Sequence, residues 1–259
     1  MRSLSLEIQI SLDSKIRSLI SIIIPVYRDA DALARTLAAT DFADAELIVS
    51  SASADESLAP LRLARPDIRW VDAPRGRARQ MNAGAAVARG AWLLFLHADT
   101  HLPPLWAQEI CRADGHSVEA GGPIALGCFR FALDSASPAA RLIEIGVRLR
   151  VRLFRLPYGD QALFIKRSLF EQLGGYADLP IMEDVDLVRR AQLHGRLFRS
   201  PQAAITSARR WERDGWASRT ARHLALIALY FCGVPPARLV RLDAARRGHP
   251  DTPNRRMYL

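Results

Sequence analysis

Short runs of continuous, largely β-branched apolar residues constrain this chain more than any other feature. LISIIIP at Leu19–Pro25 is the first. It has no polar residue on alternate positions beyond Ser21, so it reads as a strand buried on both faces. AELIVS from Ala45 is a second such run, DIRWVDAP from Asp67 a third, and AWLLFL at Ala91–Leu96 a fourth. Helical patterns separate them. Leu33 and Leu37 share one helical face behind Asp29 or Asp31 as the cap, and Arg77–Arg89 reads as a helix stopped by Gly90. Strand, helix and strand repeated with short gaps argue for an α/β fold with a mostly parallel sheet. Ligands on such sheets sit beyond the carboxyl ends of the strands.

The second half is less regular. Ile124–Leu133 is expected to be a strand and Pro138–Leu156 an amphipathic basic helix, with Leu142, Ile145, Leu149 and Leu153 on related faces. A short strand follows in QALFIKR from Gln161, then the helix SLFEQLGG, then the helix MEDVDLVRRAQLHG closed by Gly195. Neither an internal repeat nor a Pro/Gly linker breaks the chain. One domain from residue 19 to residue 259 is expected, with a helical tail at about 214–247 and an extension at 1–18. Glu7 and Asp13 stand where a signal peptide needs its apolar core.

The chain has 259 residues and a formal charge of +9, and all but two of its 36 basic residues are arginine. A solvated basic surface is the expected reading, because no aromatic-basic interleaving or RNA-binding signature points to nucleic acid. Anionic small molecules or an anionic membrane surface fit the charge. Cys111, Cys128 and Cys232 are far apart and odd in number, which excludes a disulfide framework and suits the cytoplasm. The apolar run Leu224–Val234 makes a helix of about 16 Å, half a bilayer core, so it does not span. Core packing is the expected fate of this run and of the Pro138 helix. Peripheral contact with a membrane is the alternative.

Several segments carry side chains suited to chemistry. The fourth strand runs into His97 and Asp99, two residues apart. In extended chain both point to one face and together chelate a divalent ion: Mg2+ prefers oxygen, while Mn2+ tolerates imidazole. The competing reading makes Asp99 or Thr100 a helix cap before Pro103–Pro104, and spacing alone does not separate the two. PRGRARQMNAG at Pro74–Gly84 is an anion cradle or a solvated arginine turn. The carboxylates of EDVD at Glu183–Asp186 complement a helix dipole or supply a general base. Successive helical residues diverge by about 100°, so Glu183 and Asp184 do not face one site equally. Arg209 and Arg210 are phosphate donors or part of an exposed charge run. GDQ at Gly159–Gln161 says nothing by itself.

The order of these segments says more than any one of them. SIIIPVY, ELIVSSASADES, Gly-Arg-x-Arg-x-x-Asn, LFLHADT and GGY…MEDVDL together resemble a family 2 glycosyltransferase of GT-A fold, from about Leu19 to Trp211. The HADT and GDQ variants, with the tail FCGVPPARLVRL, resemble the subgroup called selenodomain- or radical-SAM-associated transferase 2, or arsenosugar-biosynthesis glycosyltransferase. The resemblance implies inverting transfer of a sugar from a nucleotide diphosphate, first a UDP-sugar, to a hydroxyl acceptor whose identity it leaves open. It implies Mn2+ or Mg2+ at Asp99 and His97, the latter standing where the family has a second Asp. It implies Asp184 as base with Glu183 beside it. Pro25, Tyr27, Asp55, Arg77 and Asn82 match positions near the nucleotide and metal, and Arg209 and Arg210 are the added phosphate donors. Ser50 and Ser51 stand where the family reads the base with an Asp. The rivals are a nucleotidyltransferase of related fold and a non-catalytic protein that binds nucleotide or a membrane surface.

Overall fold

The computed structural model describes residues 19–42, 44–52, 55–119 and 122–247. The extension expected at 1–18 lies outside these residues. Strands β1 (Ile20–Val26), β2 (Glu46–Ala52), β3 (Arg69–Ala73) and β4 (Trp92–Phe95) alternate with helices α1 (Ala30–Ala39), α2 (Ala59–Ala64) and α3 (Arg77–Val87). The two-residue strand β5 (Thr100–His101), α4 (Trp106–Glu119), β6 (Ile124–Leu133), α5 (Pro138–Phe154) and β7 (Leu163–Lys166) follow. Then come α6 (Arg167–Gln172), α7 (Glu183–Ala191), β8 (Arg196–Thr206), α8 (Arg209–Asp214), α9 (Trp216–Phe231) and α10 (Pro236–Arg247).

All eight strands form one sheet in the order β3-β2-β1-β4-β7-β6-β8-β5. The first four are mutually parallel, β7 runs against β4 and β6, and β8 runs parallel to β6. The expected α/β class with a mostly parallel sheet is what forms. Ile22 and Ile24 pack into the cluster with Leu33, Leu47 and Phe164, while Ile23 packs into that with Ala78, Met81 and Phe95. A strand covered on both faces needs that uninterrupted apolar run. Gly84 lets α3 lie this close to the sheet, since a Cβ there would sit 2.5 Å from Ile23 Cγ2.

The chain order reverses between β1 and β4, and the two strands part at their carboxyl ends. Pairing with β4 stops at Ile23↔Phe95, and the Leu96 amide donates to the Ile23 carbonyl at 3.0 Å. Pro25 comes next on that side, so its missing N–H breaks no ladder bond. The crevice for ligands in an open α/β sheet lies at such a switch point.

Three local expectations change. Asp99 and Thr100 cap no helix: Thr100–His101 pair with Ile205 and Thr206 of β8 instead, and α4 begins only at Trp106. Asp29 occupies the N-cap position of α1 but makes no capping bond, its carboxylate being engaged by Arg209. The core packing expected of the two later helices is only half realised. α9 buries Leu226 and Ile227 yet exposes Leu224 and Phe231, and α5 buries Ala140 and Val151 while Leu142, Ile145, Leu149 and Leu153 face solvent. No helix among the described residues is long and apolar enough to cross a membrane.

Candidate active site

The crevice between β1 and β4 opens into a cleft of about 240 Å³ bounded by Pro25, Tyr27, Arg77, His97, Asp99 and Arg210, with Asp29, Arg75 and Gln80 beside them. Its floor is fixed by backbone. The Gln80 amide, 4% exposed, donates to the carbonyls of Val26 at 2.6 Å and Ser50 at 3.1 Å, tying α3 across the ends of β1 and β2. Arg28 adopts a left-handed conformation, φ +50°, and donates its N–H to Asp55 Oδ2 at 2.6 Å. Asp55 therefore shapes the Tyr27–Arg28 turn and is not itself a wall of the cleft. The Tyr27 ring lies under Arg75, 4.6 Å from guanidinium carbon to ring centroid. Ser51 Oγ accepts from Arg62 at 2.6 Å and donates to Asp72 Oδ1 at 3.2 Å, so a carboxylate from β3 stands beside the serine.

One end of the cleft is a network of side-chain ion pairs. Asp99 is 8% exposed, and its Oδ2 lies 3.4 Å from Nη2 of both Arg209 and Arg210. Arg209 also forks onto both oxygens of Asp29, one contact at 2.9 Å. His97 is the neighbouring donor. Burial, and then the Arg77 guanidinium, hold its imidazole well below its ordinary pKa, so it is neutral at pH 7.

The other end is held by backbone. Asp184 Oδ2 accepts from the Gly159 N–H at 2.7 Å, and Oδ1 from the Val185 N–H at 2.8 Å. The preceding residue, Glu183, is 3% exposed and points elsewhere, toward Arg77 Nη1 at 3.4 Å. Burial raises the Glu183 pKa against the pull of Arg77. The 100° divergence expected of adjacent helical residues thus sends the two carboxylates to different partners. Gly159 is the hinge between the two ends. A Cβ on it would fall 2.8 Å from His97 Nε2 and 3.4 Å from Asp184 Oδ2. Gln161, 2% exposed, fixes this turn: its Oε1 accepts from the Tyr158 amide at 3.3 Å and its Nε2 donates to the Phe129 carbonyl at 3.0 Å.

Asp160, between them, has an Oδ1 buried without a hydrogen-bond partner. Burial pushes its pKa up to about 6, with Arg150 opposing and Asp184 adding to the rise. Its carbonyl accepts from Thr206 Oγ at 3.1 Å, and the Thr206 hydroxyl lies 2.9 Å from that of Thr100.

The structure therefore gathers Pro25, Tyr27, Arg77, His97, Asp99 and Arg210 around one cleft, with Glu183 and Asp184 outside its lining and linked to it through Arg77 and Gly159. Arg209 stands behind Arg210. Asn82 is set apart: its amide donates to the Tyr176 carbonyl at 2.8 Å and accepts from the Tyr176 N–H at 2.9 Å, clamping the loop before α7. Sequence reasoning missed Gly159, Asp160, Asp29 and Gln80. The GDQ segment was the available signal for the first two.

Residues 21–116 match the family model described as Glycosyl transferase family 2. This stretch, from β1 into α4, is similar to the family 2 glycosyltransferases, and the rest of the chain lies outside the match. Solved structures share the architecture of this chain. TarS 1–349 from S. aureus in complex with UDP-GlcNAc superposes with a TM-score of 0.53 at 16% identity, over 73% of this chain and 58% of that one. The mannosyltransferase PcManGT from Pyrobaculum calidifontis, in complex with GDP-Man and Mn2+, gives 0.56 at 17% identity, over 87% and 69%. At such identities the likeness is one of fold, GT-A, and the chain spans about 60% of the TarS fragment's length. No curated protein matches the chain significantly.

Proposed function

We propose that this protein is a family 2 glycosyltransferase that moves a sugar from a nucleotide diphosphate to a hydroxyl acceptor with inversion, using Asp184 as general base. The observation that supports it most is the convergence at Gly159. A methyl group on that residue would meet His97, and its N–H holds Asp184, so one turn sets the proton acceptor close to the His97 imidazole.

The chemistry follows from charge. As the acceptor oxygen attacks the anomeric carbon, its proton passes to the Asp184 carboxylate. The bond from that carbon to the β-phosphate oxygen breaks, and the nucleoside diphosphate leaves with the bonding pair. One in-line displacement inverts the centre. Arg77 and Arg210 line the path of the growing negative charge, where cationic donors stabilise the transition state more than the bound donor. Glu183 neutralises and orients Arg77. Pro25 and Tyr27 wall the nucleotide end, while Asp55 and Asn82 act through the Tyr27–Arg28 turn and the Tyr176 loop.

The residues present fit a divalent ion held jointly by protein and diphosphate. Asp99 offers one carboxylate and His97 a neutral imidazole. Among the described residues no three His, Cys, Asp or Glu side chains form a closed cage. An open pair of this kind leaves positions for phosphate oxygens and suits Mn2+ better than Mg2+. When bound, such an ion would add positive charge against the leaving diphosphate.

UDP-sugars and GDP-mannose are the donors to try first, since the fold relatives hold UDP-GlcNAc and GDP-Man. The HADT and GDQ variants support placing the chain in the transferase 2 subgroup, with residues 19–259 as one domain. The test is product analysis with these donors, with and without Mn2+. Release of nucleoside diphosphate, with the product anomer opposite to the donor, is expected. Pyrophosphate in its place makes the protein a nucleotidyltransferase, and the absence of both with every donor removes the catalytic reading.

A further inference from the structure

α5 carries two apolar faces, and only one of them meets the protein. Ala140 and Val151 are buried against the sheet side, with Val147 partly so. On the opposite side Leu142, Ile145, Leu149 and Leu153 repeat at helical spacing, 70%, 56%, 53% and 62% exposed. With 100° per residue they fall within about 80° of one another, a continuous stripe. Scattered exposed leucines need no explanation, but four aligned along three turns do. Charge flanks the stripe on one side. Arg141, Arg148 and Arg152 form a row beside it, and neither Arg148 nor Arg152 has an ion-pair partner among the described residues. The only acid of α5, Glu144, is turned inward, 5% exposed, onto the Leu133 amide and Arg141.

We infer that α5 is an interfacial helix that seats this protein on an anionic lipid surface. Leucine and isoleucine side chains at a helix face, edged by long arginines whose heads reach the phosphate layer, are the chemistry such a surface selects. Anionic headgroups complement Arg148 and Arg152, the two arginines of the row that have no ion-pair partner among the described residues. A second copy fits less well: antiparallel packing of the stripe on itself sets one arginine row against the other, and α5 presents no exposed acid to answer it.

The test is co-sedimentation of the full chain with vesicles of phosphatidylglycerol and phosphatidylcholine, or of phosphatidylcholine alone. The protein is expected to pellet with the anionic vesicles only, and to be released by salt. Arg148→Ala with Arg152→Ala should weaken partition roughly 30-fold, at about fivefold per arginine. Leu149→Gln with Leu153→Gln should abolish it. Both double variants should keep the wild-type circular dichroism and melting temperature, because all four side chains face solvent. Wild-type protein that stays in the supernatant, or variants that pellet as it does, overturn the inference. So does a concentration-dependent dimer in analytical ultracentrifugation that the leucine pair converts to monomer, for that result assigns the stripe to a second copy.

Discussion

The two ends of the cleft are built on different principles. At the Asp99 end, carboxylates and guanidiniums satisfy one another: Asp29 and Asp99 share Arg209 and Arg210 at 3.4 Å or less, apart from the 4.0 Å approach of Arg210 to Asp29. At the Asp184 end, the carboxylate is gripped by main-chain N–H groups of Gly159 and Val185. Ion pairs between long side chains are exchangeable, since an incoming diphosphate or cation competes for the same partners. Backbone amides are not. For the proposed reaction, the difference gives adaptability to the donor end and fixed geometry to the acceptor end, where the proton would move over a short distance.

Substitutions rank the two ends. Asp184→Asn keeps an acceptor for only one of the two N–H groups and loses the proton acceptor, so turnover should fall by about 10²–10⁴-fold while donor Kd from calorimetry stays near wild type. If turnover survives in Asp184→Asn and disappears in Asp160→Asn, the base has been assigned to the wrong carboxylate. Gly159→Ala comes next. Its methyl group would meet His97 Nε2 at 2.8 Å, displacing either the imidazole or the Asp184 mount, and roughly 100-fold in kcat is expected. A Gly159→Ala enzyme with full kcat means the turn yields and the acceptor end is not rigid. Arg210→Ala probes the exchangeable end. Donor Kd should rise about tenfold with little change in melting temperature, because Asp99 retains Arg209. An unchanged Kd removes Arg210 from the diphosphate site.

The smallest effect is on stability and is read with a chelator present. The Asp160 carboxyl titrates near 6 in the fold against an ordinary 3.8. A raised carboxyl pKa gives stability that is complete below the unfolded value and lost as pH rises through the folded one. Melting temperature should therefore decline between about pH 4 and 6. Asp160→Asn lacks that decline and at pH 8 should be the more stable protein by up to about 3 kcal/mol. Superimposable pH profiles for the two proteins mean the carboxylate is solvated or paired.

Legibility followed the same division. The donor half of the sheet could be read from the chain because strands buried on both faces require largely apolar runs, which β1, β2 and β4 have, while the edge strand β3 is only partly covered. His97 and Asp99 were found because they end such a run. The acceptor end was harder. What Gly159 does depends on a missing methyl group between His97 and Asp184, and no pattern within the segment records that distance. The Asp29–Arg209 pair joins residues 180 apart, so Asp29 read as a helix cap. α5 misled for a different reason. Its sequence offers the larger apolar residues on one face and smaller ones on another, and size suggested that the leucines were the core. The small face is the one that is buried, at Ala140 and Val151.

The Thr100–Thr206–Asp160 hydroxyl chain stitches three distant segments at a single knot. Arg209 and Arg210 begin three residues beyond that knot, and Gly159 sits one residue before it. The arginines on Asp99 and the turn that holds the Asp184 carboxylate therefore hang from one shared anchor.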